Sequence, residues 1–232
     1  MALLTFFTDF GLAGPYVGPM RAAALEAAPQ IPQIDLMHDA PAFAPRPAAY
    51  LLAALLEQLP ADAAVCAVVD PGVGGARRAL LVEADGRKLV GPDNGLLAIA
   101  ARRADRASWH ELTWRPDALS ASFHGRDLFA PAAARWAAGE MPDHRALETP
   151  PVGADWPEDL AEIVYIDRYG NCMTGLRAAR AAMPFVRRRT FSEAGAGEVF
   201  WYENSCGLAE IAVNRGSAAE TLGLEVGAPI QR

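Results

Sequence analysis

The stretch Val65-Cys66-Ala67-Val68-Val69-Asp70-Pro71-Gly72-Val73-Gly74-Gly75-Ala76-Arg77-Arg78 opens as an apolar, β-branched run and ends abruptly in an acid, a proline and three glycines. An unbroken apolar run of this kind is the pattern of a buried strand. Asp70 therefore stands at the carboxyl end of a strand, the edge at which open α/β sheets bind ligands. Pro71 fixes one backbone angle, and the glycines permit tight turns and close approach. Arg77 follows closely enough to fold back on Asp70. On this stretch alone, a strand-to-loop turn with a surface ion pair explains the pattern as well as a site does.

The flanking sequence repeats the design. Residues 3–8 form a strand candidate ended by Asp9-Phe10-Gly11, and residues 16–28 form an alanine-rich helix candidate with Pro29 beyond it. Residues 31–37 predict a second strand with His38-Asp39 at its end, and residues 45–59 a helix bounded by prolines. After the Asp70 strand, residues 80–83 and 88–90 pair as a hairpin around Asp85-Gly86. A short helix over 96–103, a strand over 109–112 and a helix over 127–138 follow. Strands alternating with helices imply an α/β fold with a mainly parallel sheet covered on both faces.

The pattern changes near Glu140. Residues 142–158 contain Pro142, Pro150, Pro151 and Pro157 and predict a linker between an N-terminal α/β domain (1–141) and a C-terminal β domain (159–232). In the second part, strand-like runs at 162–166, 172–174, 199–202 and 208–213 are separated by turns. They suggest a small β domain or barrel that packs on the first.

Composition narrows the function classes. At 232 residues with 52% hydrophobic content, the chain can bury a substantial core. A net charge of -7 argues against a long basic nucleic-acid face. Cys66, Cys172 and Cys206 lack metal-site spacing and read as reduced thiols, and Asp9 comes too early for a signal peptide. No apolar helix candidate is long enough to span a bilayer. The expectation is a soluble cytoplasmic protein without membrane or nucleic-acid partners.

Polar clusters punctuate the strand ends: Asp9, His38-Asp39, Asp70 with Arg77, and Asp93-Asn94. Phe123-His124-Gly125-Arg126-Asp127 adds another at a helix start. Acids at strand carboxyl ends can converge on one ligand. The four histidines never occur at paired ligand spacing, although a carboxylate-only magnesium site stays open. Neither a Walker-type phosphate loop nor a serine-hydrolase elbow occurs.

Six motifs occur in an order that resembles one family. They are Thr8-Asp9-Phe10-Gly11; Val69-Asp70-Pro71-Gly72-Val73-Gly74; Gly91-Pro92-Asp93-Asn94-Gly95-Leu96-Leu97; Phe123-His124-Gly125-Arg126-Asp127; Ile166-Asp167-Arg168-Tyr169-Gly170-Asn171; and Asn204-Ser205 with Glu210-Ile211-Ala212-Val213-Asn214. Together they resemble the S-adenosyl-L-methionine (SAM) hydroxide adenosyltransferases, or SAM hydrolases, relatives of the fluorinating and chlorinating enzymes that use the same substrate. The resemblance implies an α/β domain followed by a β-barrel-like one, no cofactor, and a homotrimer with sites between subunits. It implies a water-handling triad of Asp70, Arg77 and His124. It places Asp9 at the ribose; Tyr169, Asn171 and Phe191 at the adenine; and Asp167 and Ser205 at the methionine amino and carboxylate groups. Gly14, Gly175 and Cys206 depart from the commoner family pattern. A nucleoside-binding protein without turnover and a halide-using enzyme are the alternatives.

The implied reaction suits such residues. A sulfonium leaves as a neutral thioether, so no metal or acid is needed to activate it. What the protein must supply is a water in line behind ribose C5′ and somewhere for its proton to go. Aromatic faces suit a flat adenine, and a carboxylate can accept from two vicinal hydroxyls.

Overall fold

The computed structural model describes residues 2–230, which divide into two compact units between Trp156 and Pro157. The N-terminal unit is built on strands β1 (Leu4–Thr8), β2 (Gln33–Met37), β3 (Ala64–Val68), β4 (Ala79–Ala84), β5 (Arg87–Pro92), β6 (Ala107–Leu112) and β7 (His144–Ala146). They form one sheet in the order β2-β1-β3-β5-β4-β6-β7. β2, β1, β3 and β5 run parallel, and β4, β6 and β7 extend the sheet antiparallel. The helices are α1 (Val17–Ala27), α2 (Pro45–Leu56), α3 (Ala98–Arg103) and α4 (Ala130–Ala137).

Every residue of β1 and β3 is buried, as a parallel strand covered on both faces requires. Leu4, Phe6, Cys66 and Val68 pack in one core with Met20 and Ala24 of α1 and Ala133 and Trp136 of α4. Each fully buried Leu or Phe in that core stabilises the unit by about 1.5–3 kcal/mol relative to exposure. The alternation of side chains sends Phe7 and Val65, both fully buried, to the other face. The β4–β5 hairpin turns through Asp85 (φ 49°) and Gly86 (φ 88°), the two left-handed positions of a tight hairpin turn.

The helix expected over 127–138 begins earlier and differently. Gly125–Phe129 is a π-helical turn that runs directly into α4. Such turns insert an extra residue into a helix and often accompany functional sites. Here it follows His124 immediately.

The C-terminal unit holds β8 (Leu160–Ile166), β9 (Cys172–Arg177), β10 (Val186–Arg187), β11 (Val199–Glu203), β12 (Leu208–Val213) and the short helix α5 (Ala218–Leu222). Its sheet has the order β10-β11-β12-β9-β8, antiparallel apart from the two-residue β10 pairing. Among the described residues β10 and β8 are both edges, so the barrel closure implied by the resemblance is not seen. Ser217 caps α5 by accepting from the Glu220 N–H, and Gly223 ends it in the left-handed conformation. Among the described residues no helix is long and apolar enough to cross a membrane.

Candidate active site

Asp70 lies just past the end of β3, where the strand carries it to the carboxyl edge of the parallel strands. Arg77 folds back onto it: Nε donates to Oδ1 at 3.1 Å and to Oδ2 at 2.9 Å, and Nη2 donates to Oδ2 at 2.5 Å. The Asp70 side chain is 4% exposed and the Arg77 side chain 12%. A charge pair this sheltered is held by fixed geometry rather than by solvent. Phe129, from the π-turn, packs against the guanidinium with its ring centre 5.0 Å from Cζ.

The same Nη2 reaches Nδ1 of His124 at 2.9 Å. A guanidinium has no acceptor, so Nδ1 must be the acceptor and a neutral ring carries its proton on Nε2. Burial first, and the Arg77 charge second, push the His124 pKa below the ordinary histidine value. Asp70 and Arg77 stand at the two ends of one short loop, and the fold brings His124, 47 residues beyond Arg77, against them. Gly74 is part of the reason. It adopts φ 77°, and a Cβ there would run into the Ala121 carbonyl, so only glycine lets the Asp70 loop pack on the segment leading to His124.

A cavity of about 240 Å³ opens beside this group. Val68 and Asp70 line it from β3 and its extension; Asp9, Phe10, Tyr16, Phe43, Phe123 and His124 supply most of the rest. Phe10, Tyr16 and Phe123 form a three-ring cluster with centroids 5.4–5.9 Å apart. Asp9 Oδ2 accepts the Phe43 N–H at 3.0 Å, and burial raises the Asp9 pKa above the usual carboxylate value. Phe43 is 79% exposed and has φ 57°, a conformation a bulky side chain seldom adopts. Sequence reasoning singled out Asp9, Asp70 and His124 but not this aromatic wall. Phe10 and Phe123 lie within the Thr8–Gly11 and Phe123–Asp127 motifs beside more conspicuous polar residues, while Phe43, among alanines and prolines, carries no signal in the sequence.

Two residues of the polar clusters serve elsewhere. His38 is buried, with Nδ1 2.7 Å from Thr8 Oγ1 and Nε2 3.1 Å from Asp35 Oδ1, and ties β2 to β1. Asp127 accepts from Arg126 and from the Ser120 N–H, which lowers its pKa. Among the described residues no three His, Cys, Asp or Glu side chains are grouped as metal ligands would be.

The remaining expected site residues lie in the C-terminal unit, in the turns over 167–171 and 204–207 and, for Phe191, in a short 3-10 turn over Phe191–Glu193. Asp167 Oδ1 accepts the N–H groups of Tyr169 and Asn171, at 2.8 and 2.9 Å, and Oδ2 accepts from Asn171 Nδ2 at 2.9 Å. Tyr169 is 68% exposed, with the Arg168 guanidinium over its ring. Phe191 packs edge-on against Phe200 and Tyr202. Ser205 is exposed in the turn before β12, where Asn204 Oδ1 accepts the Cys206 and Leu208 N–H groups. Beneath that turn lies Glu210, the first residue of the Glu210–Asn214 motif. It is buried, accepts from Tyr202 Oη at 2.5 Å and Asn204 Nδ2 at 2.8 Å, and has a raised pKa because of its burial. Asp167 with Asn171, and Ser205 with Asn204, are thus each placed by a tight local network.

The family model for the SAM hydroxide adenosyltransferase N-terminal domain matches residues 4–146, and that for the C-terminal domain matches residues 161–231. A protein of Thermus thermophilus named (R)-S-adenosyl-L-methionine hydrolase is 43% identical, the match covering 97% of each chain. One of the same name from Salinispora arenicola is 40% identical over 97% of this chain and 95% of its own. Among solved structures, an uncharacterized conserved protein from Thermotoga maritima superposes with a TM-score of 0.83 at 27% identity, covering 99% of this chain and 100% of its own. A conserved hypothetical protein from Thermus thermophilus gives 0.77 at 40% identity, covering 100% and 99%. With both family models matched in order along nearly its whole length, the chain belongs to the SAM hydroxide adenosyltransferase family.

Proposed function

We propose that this protein hydrolyses SAM to adenosine and L-methionine, with Asp70, Arg77 and His124 orienting the attacking water. The observation that carries the reading is the sheltered Asp70–Arg77–His124 chain beside an aromatic-lined cavity. The water oxygen attacks ribose C5′ from the side opposite sulfur. The C5′–O bond forms, the C5′–S bond breaks, and sulfur keeps the electron pair as neutral thioether. Asp70 accepts a hydrogen bond from the water and aims its lone pair. As the oxygen bonds to carbon it becomes strongly acidic, and its proton passes to the Asp70 carboxylate and on to solvent. His124 offers Nε2–H as a donor rather than a free nitrogen as base, and Arg77 fixes that orientation.

Asp9 is proposed to accept from the ribose hydroxyls. Tyr169, Asn171 and Phe191 are proposed to hold adenine, and Asp167 and Ser205 the methionine end. The cavity walls all come from the N-terminal unit, and exposed Phe43 and half-exposed Tyr16 stand among them. An open aromatic wall of this kind fits a site closed by a second copy, and the homotrimer implied by the family resemblance supplies one. Chromatography of products after incubation with SAM tests the reading: adenosine and methionine are expected, and S-adenosylhomocysteine or methylthioadenosine instead would refute it.

A further inference from the structure

We infer that Asp93 and Asn94 are positioning residues for the Asp70–Arg77 pair, gripping the intervening loop from outside the cavity. The inference rests on the hydrolase reading, because it concerns what keeps that pair in register.

The loop over 71–76 has little to hold itself in place. Its main-chain bonds are Val73 N–H to the Asp70 carbonyl at 3.3 Å and Gly75 N–H to the Gly72 carbonyl at 3.0 Å. Its three glycines widen the range of conformations open to it. A catalytic pair must nonetheless be held to within about 0.5 Å.

The turn after β5 supplies the grip at both ends. Asn94 Nδ2 donates to the Val69 carbonyl at 2.8 Å, and Asn94 Oδ1 accepts the Leu96 N–H at 3.2 Å, which fixes the amide's orientation. Val69 immediately precedes Asp70. At the other end, Asp93 Oδ2 accepts from Arg78 Nε at 2.7 Å and Nη2 at 2.6 Å, and the Asp93 N–H donates to the Arg78 carbonyl at 3.0 Å. Arg78 immediately follows Arg77. Asp93 Oδ1 is itself held by the Val152 N–H at 2.9 Å, and Arg78 is held by Thr149 and the Pro150 carbonyl. Neither Asp93 nor Asn94 lines the cavity. One turn thus clamps the residue before the acid and the residue after the arginine.

Asn94→Asp isolates the clamp. The carboxylate keeps an acceptor for Leu96 but loses the donor to Val69 and faces that carbonyl with charge. Misplacing a catalytic group by about 1 Å can cost on the order of 10²-fold. The expected result is a kcat per folded enzyme at least about tenfold lower, with KM for SAM changed by less than about twofold. In an Asp70→Asn background the further loss should shrink below about threefold, because the group being positioned is already gone. Unchanged kcat, a raised KM with intact kcat, or equal losses in the two backgrounds would overturn the inference. Should Asn94→Asp fail to fold, Asp93→Asn, which weakens the hold on Arg78, is read against the same criteria. Wild-type enzyme run alongside separates the two failures. Adenosine formation by wild type with a fully active Asn94→Asp sinks the clamp alone, and a wild type that forms no adenosine sinks the hydrolase reading with it.

Discussion

Nη2 of Arg77 lies 2.9 Å from Nδ1 of His124 while also donating to Asp70. One cation therefore holds both of its neighbours in a defined state: the acid as an acceptor, the imidazole as a neutral ring with its proton on Nε2. The arginine is the centre of the group, and the expected behaviour of variants follows from that.

Arg77→Ala should lower kcat by at least about 10²-fold, since it releases Asp70 and His124 together. Arg78→Ala, which loosens only the clamp, should cost about tenfold. Steady-state kinetics on both variants check the order. Equal losses would show that Arg77 has been given the wrong role.

His124 should set an acid limb. Its pKa is depressed by burial and by Arg77, so the folded protein takes up this proton less readily than the unfolded chain does. The neutral ring and its bond to Arg77 are intact above the ordinary histidine value of about 6.5, and are lost as pH falls through the depressed pKa. We expect kcat to be level above that value and to fall below it. His124→Asn, whose Oδ1 can still accept from Arg77, should lack the limb and retain more activity than His124→Leu. A kcat that rises on acidification, or an Asn variant no better than Leu, would contradict this. Asp9 titrates in the same sense, and the variant assigns the limb.

Halide should not replace water. A fluoride or chloride about 4 Å from the Asp70 carboxylate meets a repulsion of about 4 kcal/mol at an effective dielectric of about 20. Mass spectrometry of reactions in high chloride or fluoride should show adenosine and no 5′-halogenated nucleoside.

If a second copy closes the site, activity and assembly must go together. Light scattering should give a trimer at assay concentration. A fully active monomer would refute the shared site.

Much of the fold could be read from the sequence because its signals are local. The β3 run ends in Asp70, and Asp85-Gly86 marks the hairpin by turn chemistry alone. The π-turn at Gly125–Phe129 could not be read, since the sequence there carries the same apolar spacing as the helix it joins. β7 went unseen because His144–Ala146 has no apolar alternation and is fixed only by its pairing with β6. At the candidate site, Asp70 with Arg77 and His124 stood out as polar interruptions of strand and helix patterns, and only the family resemblance grouped them as one triad. The tautomer of His124, the aromatic wall and the Asn94 clamp were not, because each depends on contacts between residues distant in sequence.

Isotope tracing in H₂¹⁸O distinguishes attack by water on C5′ from the other routes to cleavage. SAM carries no oxygen at C5′, so in-line attack there must place the label on the 5′-hydroxyl of adenosine and leave methionine unlabelled. Attack on the methionine side chain would instead give labelled homoserine with unlabelled methylthioadenosine. We expect labelled adenosine, lost in parallel with kcat in Asp70→Asn; labelled homoserine, or adenosine without label, would overturn attack by water at C5′.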